Sequence, residues 1–531
     1  MRKLIFWVLL FFGWTNLYAI GNNVDSLYRS RLNYQEINFL HNLYYGSSNP
    51  VSLTFNTVQT LTSVNINTHR LTGKLRTVDA AARHNDFSVD ILGLKRAGHF
   101  FLSGGINYLN AKDDHHKWNS TLMLSPINPF IIGDSISSDV SLEQFSLFMG
   151  AAYSFNRRMS VALRMKYKTG SSSDQTDPRP KANSMHFIVN PGFWYRLSGH
   201  HNVGVSFNAD VYHSDISFAV VNTLENSNYF LMKGMGDNTV FSTSDNISYP
   251  RNYKGCKYGA DIQWEWSANE LHNLLEIGSW GLKQNAEDGG SAYTYKGGDF
   301  QARQIHLYDR FTFGSNVRLK QNLILCGDYT NGYGYWYDQQ REVDTQHGNL
   351  VYYKILNKSK IHDATYTNAS VEYKIDKIGS QFDLPVWRGN IKAGFNKTEE
   401  KHYEARTSEQ NYTLGFVSAG GTRYWNISDL RLSATLGAAF NTTLGHPDYD
   451  TVRGKLKDVY VDPQFEYLTS SKLGLDGRLA LDIPLRLYHA PVWLTVYGRA
   501  SGLFYLGNNK YTDCFDSTSR TTIDFGLSLT L

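Results

Sequence analysis

Thr521 to Leu531 reads T-T-I-D-F-G-L-S-L-T-L. Ile523, Phe525, Leu527, Leu529 and Leu531 alternate with Thr522, Asp524, Gly526, Ser528 and Thr530. A period of two puts the five apolar residues on one face of a strand and the polar ones on the other. Chain ends are commonly frayed and polar, whereas this one keeps the alternation to its last residue. That is what a closing strand needs if a sheet is to curl round and pair its last strand with its first. An ordinary final strand of a soluble β-sandwich has the same pattern, so the rest of the chain has to decide.

Working back from the closing strand, the same pattern recurs as hairpins. The clearest runs Phe145–Phe155, turns at Asn156-Arg157-Arg158, and returns through Met159–Thr169. Phe145, Leu147, Met149, Ala151, Tyr153 and Phe155 share one face, as do Val161, Leu163, Met165 and Tyr167. Thr169–Lys181 then reads as a hydrophilic loop. The next hairpin turns at Ser198–His201, and a loop from His213 to about Cys256 follows it. Loops of that length are uncommon inside compact soluble domains and ordinary on the outer side of a membrane barrel. Further turns are expected at Leu94–Gly98, Ser267–Glu270, Gly314–Gln321, Asp376–Arg388, Gly421–Ser428 and Ile483–Ala490. With an opening strand near Val58–His69, the sum is about eighteen strands within a range of about fourteen to eighteen, with both ends on the short-turn side.

The fold expected is therefore all-β: a transmembrane antiparallel up-and-down β-barrel over residues 58–531. Tyr153, Phe155, Tyr195, Trp264 and Trp266 fall on the apolar face near the short turns, where an inner interfacial girdle belongs. Tyr333, Tyr335, Trp336 and Tyr337 cluster above a strand at the other end. Aromatics make up 14% of the chain, and 44 Gly stand beside 12 Pro, as many short strands and turns require. The mean hydropathy of −0.39 agrees, because half of each barrel strand faces a polar lumen.

The N-terminus reads as an export signal over residues 1–21. Arg2 and Lys3 precede an apolar run, Leu4–Phe12, that is too short to span a bilayer as a helix. Residues 22–57 do not alternate and are expected to form a plug or periplasmic segment. Within it Tyr34–Tyr45 places Ile37, Leu40, Leu43 and Tyr44 near one helical face. Cys256 and Cys514 fall in stretches read as outer loops and Cys326 in a strand. A Cys256–Cys514 disulfide and three unpaired thiols both remain open. The formal charge of +4, with no long basic stripe, argues against a nucleic-acid partner.

If the apolar faces meet lipid, the other faces line a lumen. Arg164, Lys166 and Lys168 make a basic ladder, and Asp261 and Glu265 flank Gln263 in an acidic one. Arg431, Asp476, Arg478, Asp482, Arg499 and Asp524 point the same way near the C-terminus, with Asp476 roughly opposite Tyr497 or Arg499. These charges either select a polar solute or pair to stiffen the interior. No catalytic role is expected. His186, Asn190, Ser206, Asn208 and Asp210 share an inner face and supply hydrolase residue types, but without a nucleophile elbow or other catalytic spacing. Asp113-Asp114-His115-His116, Glu287-Asp288-Gly289-Gly290 and Asp513…Asp516 lack a full metal-binding motif, so neither a metal nor another cofactor is expected.

The short helix followed by Gly46-Ser47-Ser48-Asn49-Pro50-Val51 resembles the hatch of the long-chain fatty-acid transporter barrels, with Val51 where that family has alanine. The resemblance implies a hatch at Asn49 and Pro50 and a hatch-gated transporter of hydrophobic molecules. The whole chain, with its short signal, Tyr- and Asn-rich strands, long acidic and aromatic loops and terminal closing strand, resembles outer-membrane β-barrel families of Bacteroidota whose function is unassigned. Such barrels are often encoded beside TonB-dependent receptors and surface lipoproteins. That implies the outer membrane of a Gram-negative bacterium and a channel, transporter or accessory role in a nutrient-uptake complex. A barrel-borne hydrolase is the third alternative.

Overall fold

Alternation of this kind leaves backbone N–H and C=O groups to be satisfied between strands, and here the pairing passes from strand to strand around a closed wall. The computed structural model describes residues 18–19, 31–32, 34–222, 224–243, 249–289, 294–314, 318–346, 348, 350–379, 384–403, 407–427, 429–450, 456–487, 490–507 and 518–531. The main sheet contains the two-residue strand Tyr18–Ala19 and eighteen wall strands. In chain order these are β1 (Thr60–Thr72), β2 (Arg83–Ala97), β3 (Phe100–His116), β4 (Ser138–Asn156), β5 (Met159–Asp174), β6 (Lys181–Arg196), β7 (His201–Phe218), β8 (Tyr249–Ala268) and β9 (Leu271–Asp288). They continue as β10 (Tyr295–Phe313), β11 (Leu319–Asp344), β12 (Leu350–Ile378), β13 (Pro385–Tyr403), β14 (Thr407–Ile427), β15 (Leu430–Asp450), β16 (Lys472–Leu487), β17 (Ala490–Tyr505) and β18 (Ser519–Thr530).

Each strand pairs antiparallel with its neighbours in sequence, and β18 closes on β1 with Ile66 opposite Leu527 and His69 opposite Asp524. The last residue takes part: Leu531 N–H donates to the Thr62 carbonyl at 2.8 Å and the Leu531 carbonyl accepts from Thr62 N–H at 3.1 Å. Outward residues keep large apolar exposure, such as Phe525 at 63% and Met149 at 54%. Because they recur strand after strand, they form a band that a bilayer would cover. No helix among the described residues is long and apolar enough to cross a membrane.

The strands run further than the alternation suggested. Thr169–Asp174 and Lys181 belong to β5 and β6, so the hydrophilic loop shrinks to residues 175–180. β7 continues to Phe218 and β8 begins at Tyr249, and a hairpin of Ser227–Gly234 and Asp237–Thr243 fills much of the connection between them. Cys256 is therefore a strand residue with a free thiol rather than a loop residue, and Cys514 lies outside the described residues. Gly421 to Ile427 extends β14, and Tyr333 to Tyr337 lies inside β11 instead of above it. At the long-loop end both faces of a strand meet water or loops, so the apolar period fades while the hydrogen-bond ladder continues.

The N-terminal segment crosses the short-turn end of the barrel. Helix α1 (Tyr34–His41) buries Ile37 and Leu40, and Glu36 in its first turn is matched to the helix dipole. A one-turn helix, Pro50–Phe55, follows. Asn49 caps it, its Oδ1 accepting from Val51 N–H at 3.0 Å, and Pro50 supplies the preset φ at the first position. Asn42 Nδ2 donates to the Ser52 carbonyl at 2.9 Å, and Asn38 Oδ1 accepts from Thr57 N–H at 3.1 Å, tying the two turns together. Tyr44 and Val51 then pack with Phe101, Ala152, Ala162, Trp194 and Leu274 of the wall.

Candidate functional site

The interior is occupied on one side and open on the other. On the occupied side, Ser47 Oγ donates to Glu276 at 2.5 Å, and Ser48 N–H donates to both carboxylate oxygens at 3.2 Å. Gln263 Nε2 donates to the same carboxylate at 3.2 Å, while its Oε1 accepts from Asn49 Nδ2 at 2.9 Å. Asn49 also donates to the carbonyls of Phe193 and Val205 at 3.0 and 3.3 Å. This approach needs wall positions without side chains. A Cβ on Gly192 would overlap Asn49 and Pro50, and one on Gly204 would crowd Asn49 and Gln263.

Arg310, 0% exposed, holds the far end of α1. Its guanidinium donates to the carbonyls of Asn42 and Leu43 at 3.2 and 3.4 Å and to that of Phe39, and its Nε donates to Asn322 at 3.0 Å. A cation is thereby set on the orphan carbonyls of a helix C-terminus. At the other end of α1, Glu36 accepts from Tyr424 and faces Arg388 at 3.6 Å. The Tyr34 hydroxyl is pushed up to about 12 by burial beside this segment.

The open side is bounded by β14–β18, β1 and β2, with Asn107 and Leu109 of β3 at its edge. A cavity of about 400 Å³ lies against Arg31, Leu32, Tyr34, Gln35 and Glu36 and is lined by Ser63, Tyr424, Thr435, Arg478, Asp482 and Tyr497 among others. A second, of about 670 Å³, is lined by His69, Asp86, Asp476, Arg499 and Asp524 and shares Thr435, Arg478 and Tyr497 with the first. The two therefore adjoin along this wall, with Thr435, Arg478 and Tyr497 between them. Arg499 Nε donates to Asp476 at 2.5 Å, Arg478 stacks over the Tyr497 ring at 4.7 Å, and His69 pairs with Asp524.

The expected interior residues divide between these two sides. Arg478, Arg499, Asp476 and Asp524 meet at the second cavity. Asp476 has Ser501 as its register partner, not Tyr497 or Arg499; the turn before β17 is tighter than Ile483–Ala490, which slips the pairing, and Arg499 reaches Asp476 diagonally. Arg431 is buried, bonds the Pro385 carbonyl at 3.1 Å and stacks over Tyr424 at 4.1 Å. Arg164 reaches the occupied side, donating to the Ser48 carbonyl at 3.0 Å and to Asn190 at 2.7 Å, while Lys166 is exposed and Lys168 half-buried. Glu265 lies beside Tyr44, and Asn49 and Pro50 are buried in the docked segment.

Asp261 joins two residues the sequence did not single out, Glu276 and His306. Each brings a potential ligand atom within 4.8 Å of the others, and His306 Nε2 lies 3.2 Å from Asp261 and 3.6 Å from Glu276. These three could hold a cation, with Gly278 leaving the space that a Cβ would take from Asp261 and His306. The hydrolase types do not assemble. His186 contacts Asp210 at 3.0 Å and the Met123 carbonyl at 3.1 Å, so both ring nitrogens are engaged, and Ser206 bonds Asp261 instead. The acids weighed for calcium are met by cations: Asp288 by Arg251 at 2.5 and 2.7 Å, and Glu287 by Lys254 and Lys296. Asp113 pairs with His84 at 2.5 Å and Asp114 with Arg83 at 3.2 Å, whereas Asp513 and Asp516 lie outside the described residues.

Residues 50–531 match the model of a family of unknown function, DUF6850, and the chain belongs to that family. A comparison with curated proteins finds no match. Among solved structures, the chain is similar to the RagAB peptide importer in its closed-closed state, with 7% identity over 89% of this chain and 86% of that one and a TM-score of 0.41. It is also similar to the FrpB iron transporter from Neisseria meningitidis, at 10% identity, 91% and 83% coverage and a TM-score of 0.39. BauA, the ferric preacinetobactin receptor from Acinetobacter baumannii, gives 8% identity, 89% and 80% coverage and a TM-score of 0.39. At such values neither cargo nor partner transfers.

Proposed function

We propose that this family member is an outer-membrane barrel that passes small polar solutes along the open wall, with the N-terminal segment as its gate. The observation that carries this reading is the pair of adjoining cavities beside β14–β18, the first of which lies against Arg31, Leu32, Tyr34, Gln35 and Glu36. Charges of both signs line them, so they suit solutes that exchange water for hydrogen bonds as they move. Arg478, Arg499, Asp476 and Asp524 are their lumen-lining contacts; Arg164, Lys166, Lys168, Asp261, Glu265 and Arg431 complete the lumen wall, and Asn49 and Pro50 anchor the gate. The outward apolar band supports a site in a bilayer, and residues 1–21, read as an export signal, support export toward the outer membrane of a Gram-negative cell, of the Bacteroidota type. There it serves as a channel or as an accessory to an uptake complex, beside a TonB-dependent receptor or a surface lipoprotein.

A transporter of hydrophobic molecules would need apolar room behind Asn49 and Pro50. Instead those residues press on Gly192 and Gly204 and hydrogen-bond to the wall, so the polar passage is the better-supported route. Planar-bilayer recordings test the proposal. The intact protein should give small stepwise currents, and a chain lacking residues 22–56 should give larger ones. Silence from both proteins, each correctly inserted, would end the channel reading.

A further inference from the structure

The mouth of the barrel holds a separate cavity of about 370 Å³, away from the polar passage. Its wall is the inner face of β12–β14, where His362 and Tyr366 on one strand face Glu400 and His402 on the next, with Gln410 and Tyr412 beyond. Its lid consists of Ser125–Pro129, the tip of the 227–243 hairpin, and the stretch from Tyr460 to Leu468, which includes α2 (Asp462–Thr469). The lid is closely fitted. Gly236, at φ +80°, has no Cβ to collide with Val461, and the 234–236 turn lies against the His362 ring.

Two features of this cavity call for a ligand. His362 is 3% exposed, and neither ring nitrogen has a hydrogen-bond partner among the described residues. Leaving such a group dry costs free energy that a bound donor or acceptor would recover. Glu400 accepts from Tyr366 and from Gln410, which fix both its oxygens but supply no charge. Asp79 adds a second carboxylate to the lining, and no lysine or arginine lines the cavity among the described residues. The aromatic rings of Tyr366, Tyr412 and Tyr460 complete a pocket that is negative, ring-walled and short of a cation.

We propose that this cavity binds a small organic solute carrying a protonated amine. The ammonium would donate to the free lone pairs of Glu400 and to the acceptor nitrogen of His362, and a tyrosine ring would take its alkyl or aromatic body. The site stands apart from the conduction reading: binding here and current through the open wall are measured separately.

Calorimetry on the full chain in detergent micelles tests it with three probes of matched shape: phenethylamine, phenethyl alcohol and phenylacetate. The amine should bind at least about tenfold tighter than the alcohol, and phenylacetate weakest. Glu400→Gln, which keeps the shape, should weaken the amine about tenfold and leave the alcohol unchanged. Ser125→Trp alters only the lid, leaves the barrel strands untouched, and should abolish amine binding while strand circular dichroism stays intact. Equal affinity for all three probes, no binding of the amine, or full amine affinity in Glu400→Gln or in a folded Ser125→Trp overturns the proposal.

Discussion

The wall from β3 to β12 and the wall from β14 through β18 to β2 are built from the same alternating strands, yet they meet different neighbours. The first presents glycines, serines and amides, and two of its buried charges hold the docked segment: Glu276 bonds Ser47 and Ser48, and Arg310 the end of α1. It is covered from above as well, where Leu122, Ile132 and Leu231 of the loops pack with Tyr212, Ile216 and Tyr253. The second presents Arg478, Arg499, Asp476, Asp524 and Tyr497, whose partners are one another and whose remaining faces line the passage. Small side chains let backbone come close; long charged ones hold space open for water. If the barrel conducts as proposed, closure falls to the first wall and passage to the second.

The largest expected effect breaks that contrast at Arg310. Arg310→Met keeps the bulk but leaves the carbonyls of Phe39, Asn42 and Leu43 without their donor in a buried place. Undocking should become easier by about 3–5 kcal/mol, because three buried carbonyls lose a charged donor at once. Hydrogen exchange of residues 34–56 should then speed up strongly, with the strand amides of β14–β18 unchanged. If the segment stays as protected as before, it is held by apolar packing with Trp194 and Leu274 and not by this cation.

A milder test compares two glycines. Gly192→Ala puts a methyl into Asn49 and Pro50 and should cost about 1–3 kcal/mol of docking, as overpacking does. Gly437→Ala on the open wall meets the Ala419 carbonyl at 3.7 Å and Asp476 Cβ at 3.9 Å, ordinary contacts, and should stay within about 0.5 kcal/mol of neutral. Equal sensitivity at the two sites, read by the same exchange experiment, would erase the distinction between the walls.

How legible this was depends on the distance over which each contact acts. The strand count and the closing pair came from local signals, alternation and turns, and β18 does meet β1 as Thr521–Leu531 implied. The interior partners were out of reach, because Ser47 and Glu276 are 229 residues apart and Arg310 and Asn42 are 268 apart. Glu276, His306 and Arg310 left one faint trace, a charge on the inner phase of an otherwise apolar strand such as Leu274-Leu275-Glu276-Ile277. His362 and Glu400 left less, since they stand where the strands have risen past the apolar band and the pattern no longer separates inside from outside. The same loss of pattern made Cys256 and Thr169–Lys181 read as loop. What the alternation encodes is the lipid contact, and it falls silent where lipid ends.

The smallest effect concerns the upper cover of the closed wall. Asp134 sits in the 117–137 loop at 5% exposure, its Oδ1 accepting from Ile136 N–H at 2.9 Å. Burial, with Asp174 nearby, pushes its carboxyl up to about 7. A raised carboxyl favours the protonated form in the folded loop, so the packing is fully stable below the ordinary carboxylate range and weakens as pH rises through about 7. Between about pH 6 and pH 8 the loss should be on the order of 1 kcal/mol. Limited proteolysis within residues 117–137 should therefore quicken over that window, and Asp134→Asn should flatten the profile. The open wall has no such lid tied to Asp134, so single-channel current should be insensitive to the same substitution. A current that changes with Asp134→Asn would mean that the loop governs the passage too, and that the two walls are coupled at the mouth.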